Sequence, residues 1–129
     1  MKHLKLLTFL GLFVFLASAS YGQSLKMPKM DLASQVLGIL DNTKGLGLSA
    51  DQESKLKTDN KSFVDELMNI TGSNASDDDK KASILGLKNK RTKFLTDLLG
   101  SDLFKKYSGQ ILKGINPLKS KLGLAALAF

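Results

Sequence analysis

The sequence predicts an all-α protein, a small bundle of about four helices behind a segment that export removes. Two observations carry the fold class. Apolar residues between 31 and 113 recur at helical spacing with no alternating strand pattern and no long repeat, and capping or breaking residues stand at the gaps between those runs. A third observation sets the compartment. Lys2, His3 and Lys5 form a positive start, and Leu6 to Ala17 form an apolar run of about 12 residues, short of the roughly 20 that a membrane-spanning helix needs. Small residues occupy the −3 and −1 positions of two cleavage sites, after Ala19 and after Gly22. Residues 1–22 therefore read as a cleaved signal peptide and 23–129 as one helical domain, periplasmic or extracellular.

The elements follow in order. Leu32, Val36, Leu37 and Leu40 place a first helix over 31–42, ended by Gly45 and Gly47. Ser49-Ala50-Asp51-Gln52 is a capping box, so a second helix runs over 50–70. After a turn at 71–75, Ser76 or Asp77 caps a third over 77–99, with Asp78 and Asp79 in its first turn, where negative charge suits the helix dipole. Gly100 reads as a left-handed cap, and Ser101-Asp102 opens a fourth helix over 102–113. Asn116-Pro117 then breaks the chain before an apolar tail over 118–129.

The middle pair of helices can be placed in register. The second helix gathers Leu56, Phe63, Leu67 and Ile70 on one face, and the third gathers Ile84, Leu87, Phe94, Leu95 and Leu98. Folding about the turn near Asn74 makes opposing positions add to about 150, which pairs Leu67 with Ile84, Phe63 with Leu87 and Leu56 with Phe94. Asp59 and Asn60 then stand opposite Arg91, the chain's one arginine, on the apolar stripe of its helix. One reading makes Arg91 an inward guanidinium that bridges Asp59 or Asn60 and holds the register. The other makes Arg91, with Lys88 and Phe94 near it, the candidate binding group for an anionic or acidic partner.

Composition removes most enzyme classes. The chain has no Cys and no Trp, and its single His, His3, leaves with the signal. The domain thus lacks the commonest metal ligands, the imidazole base and the thiol nucleophile, so no catalytic residue, metal or cofactor is expected. Asn74, Ser76 and Asp78 start like a calcium loop, but Asp79 stands where Gly is required and Leu85 where a bidentate Glu is required. Asp65 and Glu66 are adjacent and point roughly 100° apart, so they form no carboxylate pair. Lys88, Lys90, Arg91 and Lys93 scatter around their helix without stacking aromatics, which argues for a solvated face and no nucleic acid. Asn69-Ile70-Thr71 and Asn74-Ala75-Ser76 are glycosylation sequons where the host glycosylates.

Charge is divided along the chain. Residues 23–79 hold 6 Lys and 10 Asp/Glu, while residues 80–129 hold 10 Lys, Arg91 and 2 Asp. That division suits an anionic partner, and it equally suits attraction between the two halves. The tail adds Leu118, Leu122, Leu124, Leu127 and Phe129 beside Lys119 and Lys121, suited either to docking on the core or to lying in a lipid interface.

Leu48-Ser49-Ala50-Asp51-Gln52 in an exported, helical, Cys-free chain resembles the Spy/CpxP group of bacterial periplasmic chaperones, marked by two Leu-Thr-x-x-Gln motifs at helix starts. Gly100-Ser101-Asp102-Leu103-Phe104 occupies the second motif's place and keeps a capping Ser101, with Gly100 for Leu and Phe104 for Gln. The resemblance covers about half of residues 23–129. It implies a thin homodimeric cradle of long helices that holds unfolded protein clients on a basic, partly apolar concave face, without ATP. Sequence thus points to a non-enzymatic exported binding protein for unfolded or acidic clients. The alternative is a peripheral membrane or cell-surface protein that uses the basic C-terminal half and the tail.

Overall fold

A computed structural model describes the backbone from Pro28 to Phe129 and the side chains from Asp31; the expected signal at 1–22 lies outside the described residues. Four helices carry the fold: α1 (Pro28–Leu40), α2 (Ala50–Gly72), α3 (Asp77–Leu99) and α4 (Ser101–Ile115). A 3-10 turn (Asn116–Leu118), one α turn (Lys119–Leu122) and a 3-10 stretch (Gly123–Ala128) complete the chain. No strand occurs among the described residues, and the all-α class stands. The unit considered below is Leu32–Phe129.

The boundaries of α1 and α4 differ from expectation for identifiable reasons. Helix α1 stops at Leu40 rather than 42 because the Asn42 amide donates to the Ile39 carbonyl and the Leu46 amide to that of Thr43, and these tight turns replace the helical ladder. Gly45 and Gly47, at φ +79° and +64°, carry the chain through the turn and drop Leu46 into the core. Asn116-Pro117 does not break the chain. Pro117 has no amide proton for the preceding turn, so the backbone tightens to 3-10 and continues in the same hand, with Asn116 at φ −47° and ψ −48°.

The α2–α3 hairpin has the expected register. Ser49 and Gln52 form the capping box, each amide donating to the other's side-chain oxygen at 3.1 Å. The Gln52 amide group also donates to the Leu98 carbonyl at 3.1 Å, and Lys80 Nζ donates to the Thr71 carbonyl at 3.1 Å. These two bonds, at opposite ends of the hairpin, both join positions that add to about 150. On α3 the expected Ile84, Leu87 and Leu95 are buried, but Leu99 is buried in place of Leu98, and Phe94 and Leu98 are only half-buried. Val36 and Leu40 of α1 and Tyr107, Ile111 and Ile115 of α4 complete the core.

The α3–α4 corner corrects two expectations. Gly100 has positive φ, +79°, but its ψ of 165° lies outside the left-handed helical region, in space that essentially only glycine occupies. Gly100 is itself the N-cap of α4, with no side-chain capping bond. Ser101 is the first helical residue and caps nothing.

The tail docks on the core, against α2 and α3. Its buried positions are Leu122, Ala125 and Ala128, every third residue, as a 3-10 period of three requires. Of the expected leucines only Leu122 is buried: Leu118 and Leu124 are half-buried and Leu127 is 40% exposed. Alanine on the inner line lets the tail backbone approach the hairpin closely, and Phe129 closes the end with its ring edge-to-face on Phe63 at 5.7 Å and 83°.

Helix α4 crosses α1 at Gly114, where an added Cβ would stand 2.7 Å from Ile39 Cγ2. Gly109, on the exposed side of α4, has nothing within 4 Å of that position. Gly109→Ala should therefore raise stability by about 0.5–1 kcal/mol through helix propensity. Gly114→Ala should lower it, because an overpacking cost of about 1–3 kcal/mol outweighs the same gain. Urea unfolding of the two variants should move in opposite directions; equal stabilisation would show that α4 does not approach α1 closely.

Candidate functional site

The buried positions of α3 recur at 84, 87, 91, 95 and 99, so the helix delivers Arg91 inward as regularly as its leucines. Arg91 is 8% exposed and lies where four elements meet. From α2, Asp59 accepts from Arg91 Nη1 at 2.7 Å and the Asn60 side-chain carbonyl accepts from Nη2 at 2.6 Å. From α4, the Tyr107 hydroxyl accepts from Nη2 at 3.2 Å and donates to the Leu40 carbonyl at the end of α1 at 2.7 Å. Asn60 Nδ2 donates to the same Leu40 carbonyl and to Asp41 Oδ1, both at 2.9 Å. The guanidinium lies over the Phe63 ring with Cζ 4.5 Å from its centroid, a cation–π contact. Among the described residues no buried side-chain nitrogen or oxygen lacks a partner.

The guanidinium bridges Asp59 and Asn60 together, and its fork geometry spends three donor contacts inside the fold. Burial raises the Asp59 carboxyl above its ordinary 3.8, although the Arg91 guanidinium pulls the other way. Desolvation thus outweighs attraction at this pair, as is usual when an ion pair enters a low-dielectric interior. Burial also raises the Tyr107 phenol above its ordinary 10.0, with Arg91 again opposing.

Two clefts flank Arg91. The larger, about 240 Å³, lies between α3, α4 and the tail; Leu95, Ile111 and Phe129 line it together with Lys88, Arg91 and Tyr107. The smaller, about 100 Å³, lies between α2 and α3 and holds Asp59, Glu66, Lys90, Arg91 and Phe94. The candidate binding residues are therefore divided. Three residues of helix turn a side chain by about −60°, so Lys88 and Phe94 stand on opposite sides of Arg91 and line different clefts. Lys88 shares a cleft with Arg91, and so does Phe94, but no single site holds all three.

Other expected features fall where their local chemistry puts them. Ser76 Oγ accepts from the Asp79 amide at 3.2 Å and caps α3, with Asp77, Asp78 and Asp79 in the first turn. Asp65 and Glu66 are both exposed. Sequence reasoning missed Tyr107, although Tyr107, Ile111 and Ile115 make a four-residue stripe that marks the inner face of α4. It missed Asp41 and the Leu40 carbonyl entirely, since a helix-end carbonyl carries no side-chain signal.

Removing one partner from a buried charged pair costs about 3–5 kcal/mol, and the compact lysine ammonium lacks the planar fork that bonds Asp59 through Nη1 and Asn60 through Nη2. Arg91→Lys should consequently lose at least about 2 kcal/mol in urea unfolding; a loss within error of zero would remove the bridging role. The Tyr107 phenol has a folded-state pKa above its unfolded value. Its contribution is therefore complete below about pH 10 and is lost as pH rises through the folded value. With Tyr21→Phe removing the other phenol, tyrosinate absorbance should rise above pH 10.0, with helical ellipticity falling in step. Ionisation at 10.0 without loss of helix would show that the hydroxyl is not held.

No protein-family model, no curated protein and no solved structure matches this chain, so the meaning of the site rests on its geometry.

Proposed function

We propose that this chain is an exported, non-enzymatic helical binding protein that holds acidic segments of polypeptide clients on its basic C-terminal half. The observation that carries this reading is where the ion pairs form. Among the described residues they are Lys55–Asp51 at 3.1 Å and Lys57–Glu53 at 3.9 Å, both within α2, and Arg91–Asp59 at 2.7 Å. One pair alone joins the acidic half to the basic half. Lys90, Lys93, Lys105, Lys106 and Lys113 are exposed without an acidic partner, and so are Lys119 and Lys121. Attraction between the halves does not consume this charge, which leaves it available to an anionic partner.

The likeness to the Spy/CpxP chaperones supports the same reading through the Leu48–Gln52 motif and the capping bonds it makes. This chain departs from that pattern at Gly100 and Phe104, its Ser101 makes no capping bond, and it covers the apolar face of its hairpin with its own tail. Client holding is on this account mainly electrostatic rather than a matter of an open apolar cradle. The docked tail also favours a protein client over a lipid surface, because Leu122, Ala125 and Ala128 are committed to the core. No helix among the described residues is long and apolar enough to cross a membrane.

Purified protein should suppress aggregation of an unfolded acidic client near one-to-one without nucleotide, and rising salt should weaken the effect. Lys106→Glu with Lys113→Glu reverses two charges on one face of α4 and should reduce suppression several-fold with stability unchanged. Absence of suppression at several-fold excess, together with salt-sensitive binding to anionic liposomes, would replace this reading with the membrane-surface one.

A further inference from the structure

We infer that the cleft between α3, α4 and the tail is a binding site for a small carboxylate with an apolar body, seated with its hydrocarbon inward and its carboxylate at Lys88. The inference goes beyond client binding and does not depend on it, since the surface lysines invoked there line no part of this cleft.

Size and walls define the body of the ligand. The cleft's volume of about 240 Å³ exceeds the roughly 150 Å³ that admits a benzene ring, and it falls below the range usual for larger ligands, about 300–1,000 Å³. It therefore suits a molecule on the order of ten heavy atoms. Leu95, Phe104, Ile111 and Leu112 supply apolar wall, and the tail closes the far side with Ala128 and Phe129. Leu112 is 42% exposed, more than a leucine facing a filled cleft would be.

Charge defines the head. Two cationic side chains line the cleft, Lys88 and Arg91, and no acidic side chain does. Asp59 meets the Arg91 charge at 2.7 Å from the other side of the helix. Lys88 is half-buried and has no ion-pair partner among the described residues, so it is the cation left over. The hydroxyl residues Thr92 and Ser108 add polar rim on α3 and α4. A cationic ligand would be repelled here, and a neutral one would leave the lysine uncompensated. A carboxylate on an apolar body satisfies the lysine and fills the cleft together.

Octanoate is the probe, with octyltrimethylammonium and octanol as its cationic and neutral counterparts, titrated into the full-length protein by amide NMR. Octanoate should give saturable shifts centred on Lys88, Phe104 and Leu112; octanol should bind more weakly and the cation should not saturate. Lys88→Gln should weaken octanoate about tenfold and leave octanol unchanged. Ser108→Phe and Thr92→Phe fill the cleft from opposite walls, and each should abolish octanoate binding while the helical spectrum is retained. Thr92 is exposed, so its variant decides the matter if Ser108→Phe does not fold. Octanoate shifts that never saturate, that persist in Thr92→Phe, or that the cation reproduces would overturn the inference.

Discussion

A guanidinium placed among leucines has to find its partners inside the protein, and here they come from α2 and α4 and through them reach α1. Arg91 reaches Asp59 and Asn60 on α2 and Tyr107 on α4, while Asn60 and Tyr107 both donate to the Leu40 carbonyl that ends α1. A hydrogen bond tolerates much less displacement than an apolar contact, so this network fixes distances that hydrophobic burial leaves free. It settles the hairpin register against a slide by one turn. It also fastens the last turn of α1, whose orphan carbonyl would otherwise be buried without a donor. Burial raises the Asp59 carboxyl although the Arg91 guanidinium pulls the other way, so what the geometry shows for this pair is a fixed distance between α2 and α3.

The tail and the larger cleft follow from the same placement. A polar cluster on the hairpin seam interrupts the apolar surface there, and the chain covers what remains with its last turns. Alanines at 125 and 128 bring the tail backbone close, and Phe129 comes onto the ring of Phe63, whose face the Arg91 guanidinium covers. A thin 3-10 segment cannot fill the width that an α-helix would occupy. The space left between α3, α4 and the tail stays open beside Lys88. Cleft and core thus share a wall, since Tyr107, Leu95, Ile111 and Ala128 belong to both.

Charge segregation works at a different level from packing. Asp51 and Glu53 of α2 are used locally, in i,i+4 pairs that contribute little stability, while most lysines after residue 80 face water. Folding an acidic and a basic half into one bundle does not neutralise them, for among the described residues a single pair crosses between them. The basic surface is therefore a property of the folded protein as well as of its composition. A polyanionic segment would meet it without first breaking internal pairs.

Features that depend on neighbours three or four residues away were legible in the order of the amino acids. Helical periodicity, the Ser49–Gln52 box and the Ser76 cap are local, and they yielded the class, the α2 and α3 spans and, through the turn near Asn74, the opposition of Arg91 to Asp59 and Asn60. The positive φ of Gly100 was legible for the same reason, though its ψ was not, because the direction in which α4 leaves the corner is set by where it docks. The sites were read less well. Arg91 and Lys88 do share a cleft, but Phe94 belongs to another, a division invisible until the neighbouring helices were in place. Tertiary structure alone decided that the tail docks through Ala125 and Ala128, that Tyr107 joins α1 to α4, and that an apolar cleft opens at Lys88. Each of these depends on residues many positions apart meeting at a few ångströms, and no local preference encodes that distance.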